Sequence, residues 1–378
     1  MRKTITPGQI SQNNLNLIYQ YIYQNDSVSQ QDISYALHLS RPTVSAKINE
    51  LEDRGLICKA GQINSELVGR KAVAYSVVPD YRVAIGVEVM KDLFKILVVD
   101  LKGNYYHRTV IDMDYENSED YIRRFCEEVN RYIQSLSYKK EQILGIGMAF
   151  QGLVNAEGTR ITYGKILDCT GLCIDRFETY LPFPCRFLHD ASAAADSELW
   201  ASPELSDFIY MNISVHLGAA LVNGRRILTG KHGYSGTVEH IQLVPNGRKC
   251  YCGKLGCTET VCSMSALLGD EDEESFFAKL ASGDPHTAER WQTYLYHLAL
   301  AIHDMHLLYN EDFILGGYMA SHLREQDLQK IYENIERISP FPETLDYVRL
   351  GKMPKHSITY GAALPYIHDF LAGNLIDA

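Results

Sequence analysis

Three segments between residues 13 and 55 carry apolar residues at the spacing of an amphipathic helix. Ser29 precedes the second segment, with Asp32 three residues further on, and Ser40 precedes the third. A serine at such a position accepts a hydrogen bond from the free amide groups at a helix N-terminus, and a carboxylate three positions later completes a capping box. The pattern therefore predicts three short helices, the second beginning at Ser29 and the third at Ser40. Their predicted inward-facing residues are Leu15, Ile18, Ile22, Val44, Ile48 and Leu51.

The connection between the second and third predicted helices is very short. Two short helices joined so tightly are typical of a helix-turn-helix, and His38 stands near the place where that turn often carries glycine. Two β-type runs follow, 56–60 and 72–78, and the segment between them contains Arg70. This order predicts a winged helix-turn-helix DNA-binding domain over residues 1–82.

From residue 83 onward the apolar pattern changes to strands separated by short turns. Strand-type runs are followed by a helical stretch at 116–135 and a further strand, and a similar order recurs between residues 208 and 315. The repeated order predicts a duplicated α/β lobe with a cleft between the copies. We expect one region, 83–378, with lobes at roughly 83–200 and 201–378, and a C-terminal helix that returns to the first lobe. The predicted strands of the two blocks are Val83–Val89, Phe94–Asp100, Tyr105–Asp112, Ile143–Ala149, Phe208–Ser214, Gly218–Val222 and Phe313–Leu315.

The net charge of −11 is unevenly distributed along the 378 residues. Residues 1–82 contain nine Lys and Arg against seven Asp and Glu, a balance of +2, so the rest of the chain carries −13. Because an acidic surface is repelled by DNA phosphates, we expect any contact with nucleic acid to come from the N-terminal domain.

The sequence also restricts where the protein works. It has no apolar run long enough to span a membrane, and no apolar segment follows the basic residues at its N-terminus. Its nine cysteines form an odd set without a secretory signal, which favours a reducing compartment. We therefore expect a cytoplasmic protein that does not contact membranes.

The strongest chemical signal is a group of three cysteines within eight residues, preceded by a histidine. Three thiolates and one imidazole form a standard structural zinc set, and such a set leaves no coordination position open for catalysis. Inert thiols, or a disulfide between the first two cysteines, are the alternatives. The predicted ligands are His240, Cys250, Cys252 and Cys257.

The segment 233–263, GYSGTVEHIQLVPNGRKCYCGKLGCTETVCS, resembles the signature of the ROK family of repressors, open reading frames and sugar kinases. The family pattern is Gly-Glu-x-Gly-His followed by Cys-x-Cys-Gly-x-x-Gly-Cys-x-Glu, and the resemblance extends over almost the whole chain from Ala84. It implies a two-lobed, actin-like domain of the hexokinase/Hsp70 type, in agreement with the duplicated lobe. A preceding winged helix is similar to the repressor branch of the family.

The resemblance also shows where the chain departs from a sugar kinase. Asp190 stands at the place of the catalytic base, but 88–92 lacks the glycines of the first phosphate-binding turn. In the second phosphate-binding turn, at 214–218, only Gly218 matches the family pattern. The glycine pair at 316–317 resembles the pair that lies beside adenosine in the family, but backbone packing explains it equally well. Because phosphoryl transfer depends on positioning, these losses predict a protein that is not an enzyme. A sugar kinase with an appended DNA-binding domain is the alternative.

The ligand is expected to be a sugar or sugar derivative bound between the lobes. The resemblance places five residues at the sugar-binding positions, with His189 and Thr237 departing from the pattern and Glu239 standing where the family has glycine. The alternatives are a vestigial cleft and control by a protein partner. The five candidate ligand-binding residues are His189, Asp190, Thr237, His240 and Glu259.

The third helix of the winged domain is the predicted recognition helix. Asn49 is suited to a bidentate contact with adenine, and Arg70 at the wing is suited to the minor groove. A single domain with so few basic residues binds weakly, so we expect a homodimer or homotetramer on a double-stranded DNA operator with two half-sites. The candidate DNA-binding residues are Arg41, Pro42, Thr43, Ser45, Ala46, Lys47, Asn49 and Arg70.

Overall fold

A computed structural model describes residues 6–63, 72–342, 346–353 and 356–373. The helices in these ranges are α1 Pro7–Asn25, α2 Gln30–Ala36, α3 Arg41–Asp53, α4 Glu119–Ser135, α5 Asp175–Glu178, α6 Asp190–Ala201, α7 Glu259–Cys262, α8 Met264–Leu268, α9 Glu273–Ala281, α10 Pro285–His306, α11 Glu325–Ile338 and α12 Ser357–Ala372. The strands are β1 Val28–Ser29, β2 Ile57–Ile63, β3 Ala72–Val77, β4 Val83–Val89, β5 Leu93–Asp100, β6 Tyr105–Asp112, β7 Ile143–Phe150, β8 Leu153–Val154, β9 Ile161–Tyr163, β10 Cys185–His189, β11 Phe208–Ile213, β12 Leu217–Asn223, β13 Arg226–Leu228, β14 Asp312–Gly316 and β15 Val348–Leu350.

The N-terminal unit contains the three predicted helices and a small antiparallel sheet of order β1-β3-β2. Ser29 and Ser40 cap α2 and α3, and His38 has a φ of 53°, the left-handed geometry that usually favours glycine. The predicted start of the first helix was wrong, because α1 begins at Pro7. A capping box between Thr6 and Gln9 extends it through a polar segment that carries no apolar signal.

The remainder of the described chain folds into two lobes whose sheets have the same strand topology. The first lobe has the sheet β10-β7-β4-β5-β6, and the second has β13-β12-β11-β14-β15. In each sheet the first three strands in sequence form an antiparallel meander, and the next two add in parallel beside its first strand. The duplicated lobe predicted from the strand order is therefore present in the structure.

Helix α12 packs against the first sheet and against α6 with unusually close backbone contacts. A Cβ atom at Gly361 would lie 1.7 Å from the carbonyl oxygen of Ala193 in α6. The same atom at Gly86 or Gly147 would lie within 2 Å of an α12 carbonyl, at 1.9 Å and 1.8 Å respectively. Glycine at these three positions lets helix and sheet approach more closely than any side chain permits.

The DNA-binding unit shares its apolar core with the first lobe. The fully buried side chains of α1 and α3 belong to one cluster with residues of β5 and α12. The hydroxyl of Tyr23 in α1 donates to the carbonyl of Leu101 at 2.8 Å, and Lys102 forms an ion pair with Asp26 at 2.6 Å. Members of the shared cluster include Leu15, Ile18, Ile22, Val44, Ile48, Leu51, Leu97, Leu364, Ile367 and Phe370.

Across the described ranges, no helix combines the length and the apolar character that crossing a bilayer requires.

Replacing Gly361 with alanine tests the packing of α12. Helix propensity alone favours alanine by about 1 kcal/mol, but the added methyl group cannot fit against Ala193 without moving α12, which costs about 1–3 kcal/mol. We expect a melting temperature several degrees below that of the wild type, measured by circular dichroism. The control is Gly8→Ala in the first turn of α1, where the new Cβ meets only Thr6 Oγ1 at 3.9 Å. A Gly361→Ala variant that melts at or above the wild-type temperature would contradict this account.

Candidate functional site

The predicted metal ligands converge on one point. One side-chain donor atom from each of the four residues lies within 4.8 Å of all the others. The Nδ1 atom of His240 is 3.8 Å from Sγ of Cys250, and the Sγ atoms of Cys252 and Cys257 are 3.7 Å apart. The three cysteines are free thiols, so the disulfide alternative does not describe this structure. The cluster has the donor types and spacing to hold a metal ion.

Two glycines create the turn that brings the thiols together. Gly253 and Gly256 have φ values of 92° and 72°, and a Cβ at Gly256 would lie 1.7 Å from the carbonyl oxygen of Val244. The turn is closed by the amide of Cys250, which donates to the carbonyl of Lys254 at 2.8 Å. Residues other than glycine cannot adopt this backbone path without strain. The two glycines therefore allow cysteines that are close in sequence to bring their thiols together.

The metal cluster borders a small cavity between the two lobes. Tyr163, Lys165, His189 and Asp190 line it from the first lobe. Its volume is about 30 Å³, room for about two water molecules at roughly 10–15 Å³ each. A sugar ring does not fit this volume, so sugar binding would require the cleft to widen. The second lobe contributes His216, Leu217, Gly218, Glu239, His240 and Tyr251.

Asp190 is the first residue of α6 and is 8% exposed. Its Oδ1 atom accepts a hydrogen bond from the amide of Ala191 at 2.7 Å and lies 3.3 Å from Nε2 of His189. Burial raises the pKa of Asp190 above its usual range and lowers the pKa of His189. The pair therefore offers a buried carboxyl group beside a neutral imidazole, suited to hold a ligand hydroxyl.

Glu259 supports the cavity from behind. Its two oxygens accept hydrogen bonds from Nδ1 of His216 and from the amide of Leu217, each at 2.7 Å. His216 was absent from the predicted site, although it lies within the segment 214–218 that departs from the kinase pattern. Thr237 and Glu259 were both predicted to contact ligand, and neither lines this small cavity. The hydroxyl of Thr237 donates to the carbonyl of Tyr234 at 2.8 Å.

Glu239 is a second residue that the sequence did not assign to the site. Its side chain is buried, and Oε1 lies 3.9 Å from Nε2 of His240. Burial, reinforced by the charges of Asp190 and Glu259, raises the pKa of Glu239 to about 8. The sequence signal that could have identified Glu239 was its position, where the family pattern has glycine.

Comparison with protein families identifies the family of each of the two regions. Residues 84–364 match the model of the ROK family, and residues 13–57 match a winged helix-turn-helix DNA-binding model. The chain belongs to the ROK family. The predicted family and the predicted α/β fold with an N-terminal winged helix are confirmed.

Curated relatives of this ROK protein are transcriptional regulators by name. It is 22% identical to a xylose repressor of Caldicellulosiruptor bescii, over 96% of this chain and 97% of that protein. It is 26% identical to the DNA-binding transcriptional dual regulator NagC of Escherichia coli, over 68% of this chain and 64% of that protein. These names agree with the predicted regulator and favour a protein that is not an enzyme.

Solved ROK structures share the fold. A ROK family transcriptional regulator described as a homologue of the E. coli MLC protein superimposes with a TM-score of 0.79 and 24% identity, over 98% of this chain and all of that chain. A ROK glucokinase of Streptomyces griseus, solved with glucose and AMPPNP, gives a TM-score of 0.66 and 20% identity over 75% of this chain and 98% of that chain. A regulator and a kinase thus share the two-lobed fold of this chain.

In this ROK chain a buried ion pair occupies the region next to the first phosphate-turn segment. Nζ of Lys95 lies 3.3 Å from Oε2 of Glu88 and donates to the hydroxyl of Tyr318 in the second lobe. Thr359 of α12 donates to the same glutamate oxygen at 2.9 Å. Burial alone would lower the pKa of Lys95, but Glu88 and Tyr318 raise it above its ordinary value. The cavity beside this pair measures about 10 Å³.

The glycine pair 316–317 has a structural explanation. Gly317 has a φ of 77°, and a Cβ there would lie 2.5 Å from the carbonyl oxygen of Ile213. Backbone packing between β14 and β11 is sufficient to require glycine at this position.

Helix α3 presents a partly exposed face. Arg41, Pro42, Ala46 and Asn49 are exposed, whereas Thr43, Ser45 and Lys47 are half-buried. Lys47 forms an ion pair with Glu50 at 2.6 Å, so a phosphate must compete with that glutamate. The remaining candidate, Arg70, lies outside the described residues.

Replacing Lys95 with methionine tests the buried pair. The change leaves the Glu88 carboxylate buried without its cation, which costs about 3–5 kcal/mol in such sites, so we expect a marked fall in the midpoint of urea denaturation. Adding Glu88→Gln to the same chain should recover most of the loss.

The matched control is Lys330→Met, which breaks the exposed pair with Glu333 at 2.8 Å and should change stability by at most about 1 kcal/mol. Equal denaturation midpoints for Lys95→Met and Lys330→Met would contradict the buried pair.

Proposed function

We propose that this protein is a DNA-binding transcriptional regulator of the repressor type, in which a sugar or sugar derivative bound between the lobes controls DNA binding. We divide it into a DNA-binding domain at 1–82 and a sensor domain at 83–378. The observation that carries the proposal is the path of α6. This helix begins in the cleft at Asp190 and ends beside the core shared with the DNA-binding unit.

The contacts at the far end of α6 support transmission of ligand binding. Trp200 packs against the shared core and lines the same groove as Tyr23 of α1. A Cβ at Gly103 would lie 2.1 Å from Nε1 of Trp200, and the adjacent Lys102 donates to the carbonyl of Tyr23 at 2.6 Å. When a ligand displaces Asp190, the helix transfers that displacement to the contacts that hold α1. This is a rigid-body coupling between two sites.

The buried pair of Lys95 and Glu88 supports the proposal that the protein does not phosphorylate its ligand. A kinase of this fold must accommodate ATP phosphates between the lobes, where Lys95 already contacts Tyr318. Asp190 alone favours the alternative, a sugar kinase, since its raised pKa suits a general base. The same carboxyl group is equally suited to hold a sugar hydroxyl without chemistry.

We propose that His240 and the three neighbouring cysteines bind a structural zinc ion. Four protein ligands leave no position for substrate, so the ion would hold the loop that carries His240, Tyr251 and Glu259 at the cleft. Nδ1 of His240 faces Cys250, while Nε2 is directed toward Glu239. A carboxylate beside the second ring nitrogen is the usual device that orients a metal-bound histidine.

We also propose that the protein binds its operator as a homodimer or homotetramer. The one recognition helix in each chain presents few cations, and Lys47 is already paired with Glu50. Two helices on two half-sites would supply the affinity that one lacks.

The DNA-binding proposal is tested by selecting duplexes from a random pool with the full-length chain. We expect enrichment of a sequence with two half-sites, and Asn49→Ala should weaken binding to it by about tenfold or more, because one bidentate contact to adenine is lost. The control is Gln134→Ala, at an exposed position of α4, which should bind DNA as the wild type does. If no sequence is enriched, the proposed function is wrong. Equal binding by Asn49→Ala contradicts only the role of Asn49, and sugar-dependent consumption of ATP would favour the kinase.

The metal proposal is tested by Cys252→Ser, with metal content measured by mass spectrometry. We expect stoichiometric zinc in the wild type, its loss in the variant, and a lower melting temperature, because metal binding contributes to folding. Cys58→Ser, at an exposed thiol in β2, should retain the metal. A wild-type protein without zinc, or a Cys252→Ser variant that keeps it, would contradict the assignment.

A further inference from the structure

A cavity of about 720 Å³ lies in the second lobe, and none of its lining residues lines the cavity between the lobes. One wall is a single face of α10, which runs from His286 to His297. The other wall is formed by α7, α8 and the segment between His240 and Cys250. Ligand pockets commonly have volumes of about 300–1,000 Å³, so this cavity has room for a small metabolite.

Arg248 brings a positive charge to this cavity without a counter-charge. Its guanidinium donates to the carbonyl of Ala266 at 3.3 Å and forms no ion pair with any described residue. Arg290, at the same cavity, differs because it pairs with Glu271 at 2.7 Å and donates to the carbonyl of Leu267 at 2.6 Å. A guanidinium stays charged at every physiological pH, so the positive charge at Arg248 does not depend on titration.

His297 adds an unused imidazole beside that guanidinium. It is half-buried on α10, and neither ring nitrogen has a hydrogen-bond partner among the described residues. Burial lowers the pKa of His297 and the charge of Arg248 lowers it further, so the two side chains are close to each other. A fixed cation and an unused imidazole thus lie at one end of the cavity.

The carboxylate in the lining is at the other end of the cavity. Glu289 precedes His297 by eight residues of α10, about 12 Å along the helix. No ion pair joins Glu289 to Arg248 within the described ranges, and Glu271, outside the lining, is occupied by Arg290 and Lys279. The positive charge at Arg248 is therefore not balanced by a carboxylate of this chain.

We propose that this cavity is a second ligand site, which binds a small organic anion through Arg248 and His297 and is separate from the cleft. A guanidinium offers paired N–H groups to two oxygens of a carboxylate or a phosphate, and a charge-assisted hydrogen bond is about twice as strong as a neutral one. A neutral molecule would leave the charge of Arg248 uncompensated. The imidazole of His297 supplies a further hydrogen bond to the same anion.

The cavity is built on the helix that supports the cleft. Thr260 of α7 lines the cavity, and its hydroxyl donates to the carbonyl of Cys257 at 2.7 Å. The preceding residue, Glu259, holds His216 and the amide of Leu217 at the cleft. An anion bound in the cavity therefore contacts the element that fixes two groups of the cleft, which gives it a physical route to modulate the response to sugar.

Isothermal titration calorimetry on the full-length, metal-loaded protein tests the proposal. The titrants are inorganic phosphate, citrate, glycerol 3-phosphate and succinate, all at one ionic strength, and the last two are compared with their neutral counterparts glycerol and succinamide. At least one of these two organic anions should bind about tenfold more tightly than its neutral counterpart, because an interaction with a charged group is stronger than a neutral one. The phosphate and carboxylate titrants show which kind of anion the site prefers.

Variants connect the binding to the cavity. Arg248→Met removes the charge and should weaken anion binding by about tenfold or more, whereas Arg248→Lys keeps the charge without the fork and should retain part of it. Because Arg248 is close to Cys250 in sequence, His297→Gln on α10 provides a second variant, which should also weaken binding. The matched control is Arg226→Met, at an exposed arginine on β13 of the same lobe, which should bind anions as the wild type does.

Metal content and melting temperature, measured on each variant, separate a loss of anion binding from a loss of folding. Anion binding that both cavity variants weaken and Arg226→Met preserves supports the inference. The inference is wrong if no anion binds, or if glycerol and succinamide bind as tightly as their charged counterparts. It is equally wrong if Arg248→Met and His297→Gln, both folded and metal-loaded, bind the anion as the wild type does.

Discussion

The close contact of α12 with α6 and with the first sheet is the constraint on which the rest of this structure depends. Gly361 meets the backbone of Ala193, and Gly86 and Gly147 admit α12 onto the sheet. The same helix contributes Phe370 to the core that includes α1 and α3. One helix thus contacts the first lobe and the DNA-binding unit through close backbone packing that cannot adjust by changing rotamers.

The two halves of the cleft use buried charge in opposite ways. Beside the first phosphate-turn segment, Glu88 is satisfied by Lys95 and Thr359, and Tyr318 joins the lobes across that pair. At the metal-cluster half, Glu239 keeps an oxygen without a donor. A paired buried charge needs no ligand, whereas a buried oxygen without a partner favours a molecule that brings the missing hydrogen bond. This contrast supports the proposed function as a regulator.

Much of the candidate site could be predicted from the sequence, because local spacing determined it. The four metal-binding candidates lie within eighteen residues, and Gly253 and Gly256 force their convergence. His216 and Glu239 could not be placed in the same way, since their importance depends on neighbours distant in the chain, Glu259 and Asp190. Thr237 stays a prediction from its position in the family pattern, and its hydroxyl donates to the carbonyl of Tyr234.

The sequence by itself determined the elements whose signals are local: the caps of α2 and α3, the apolar faces of α1 and α3, the order of strands in both lobes and the cysteine turn. Only the tertiary structure decided that α12 packs against both the first lobe and the DNA-binding unit, that Lys95 contacts Tyr318 across the lobes, and that an oxygen of Glu239 has no partner among the described residues. The physical reason is that caps and periodicity act between residues a few positions apart, whereas packing and charge compensation depend on residues up to about 270 positions apart, as in the contact of Thr359 with Glu88.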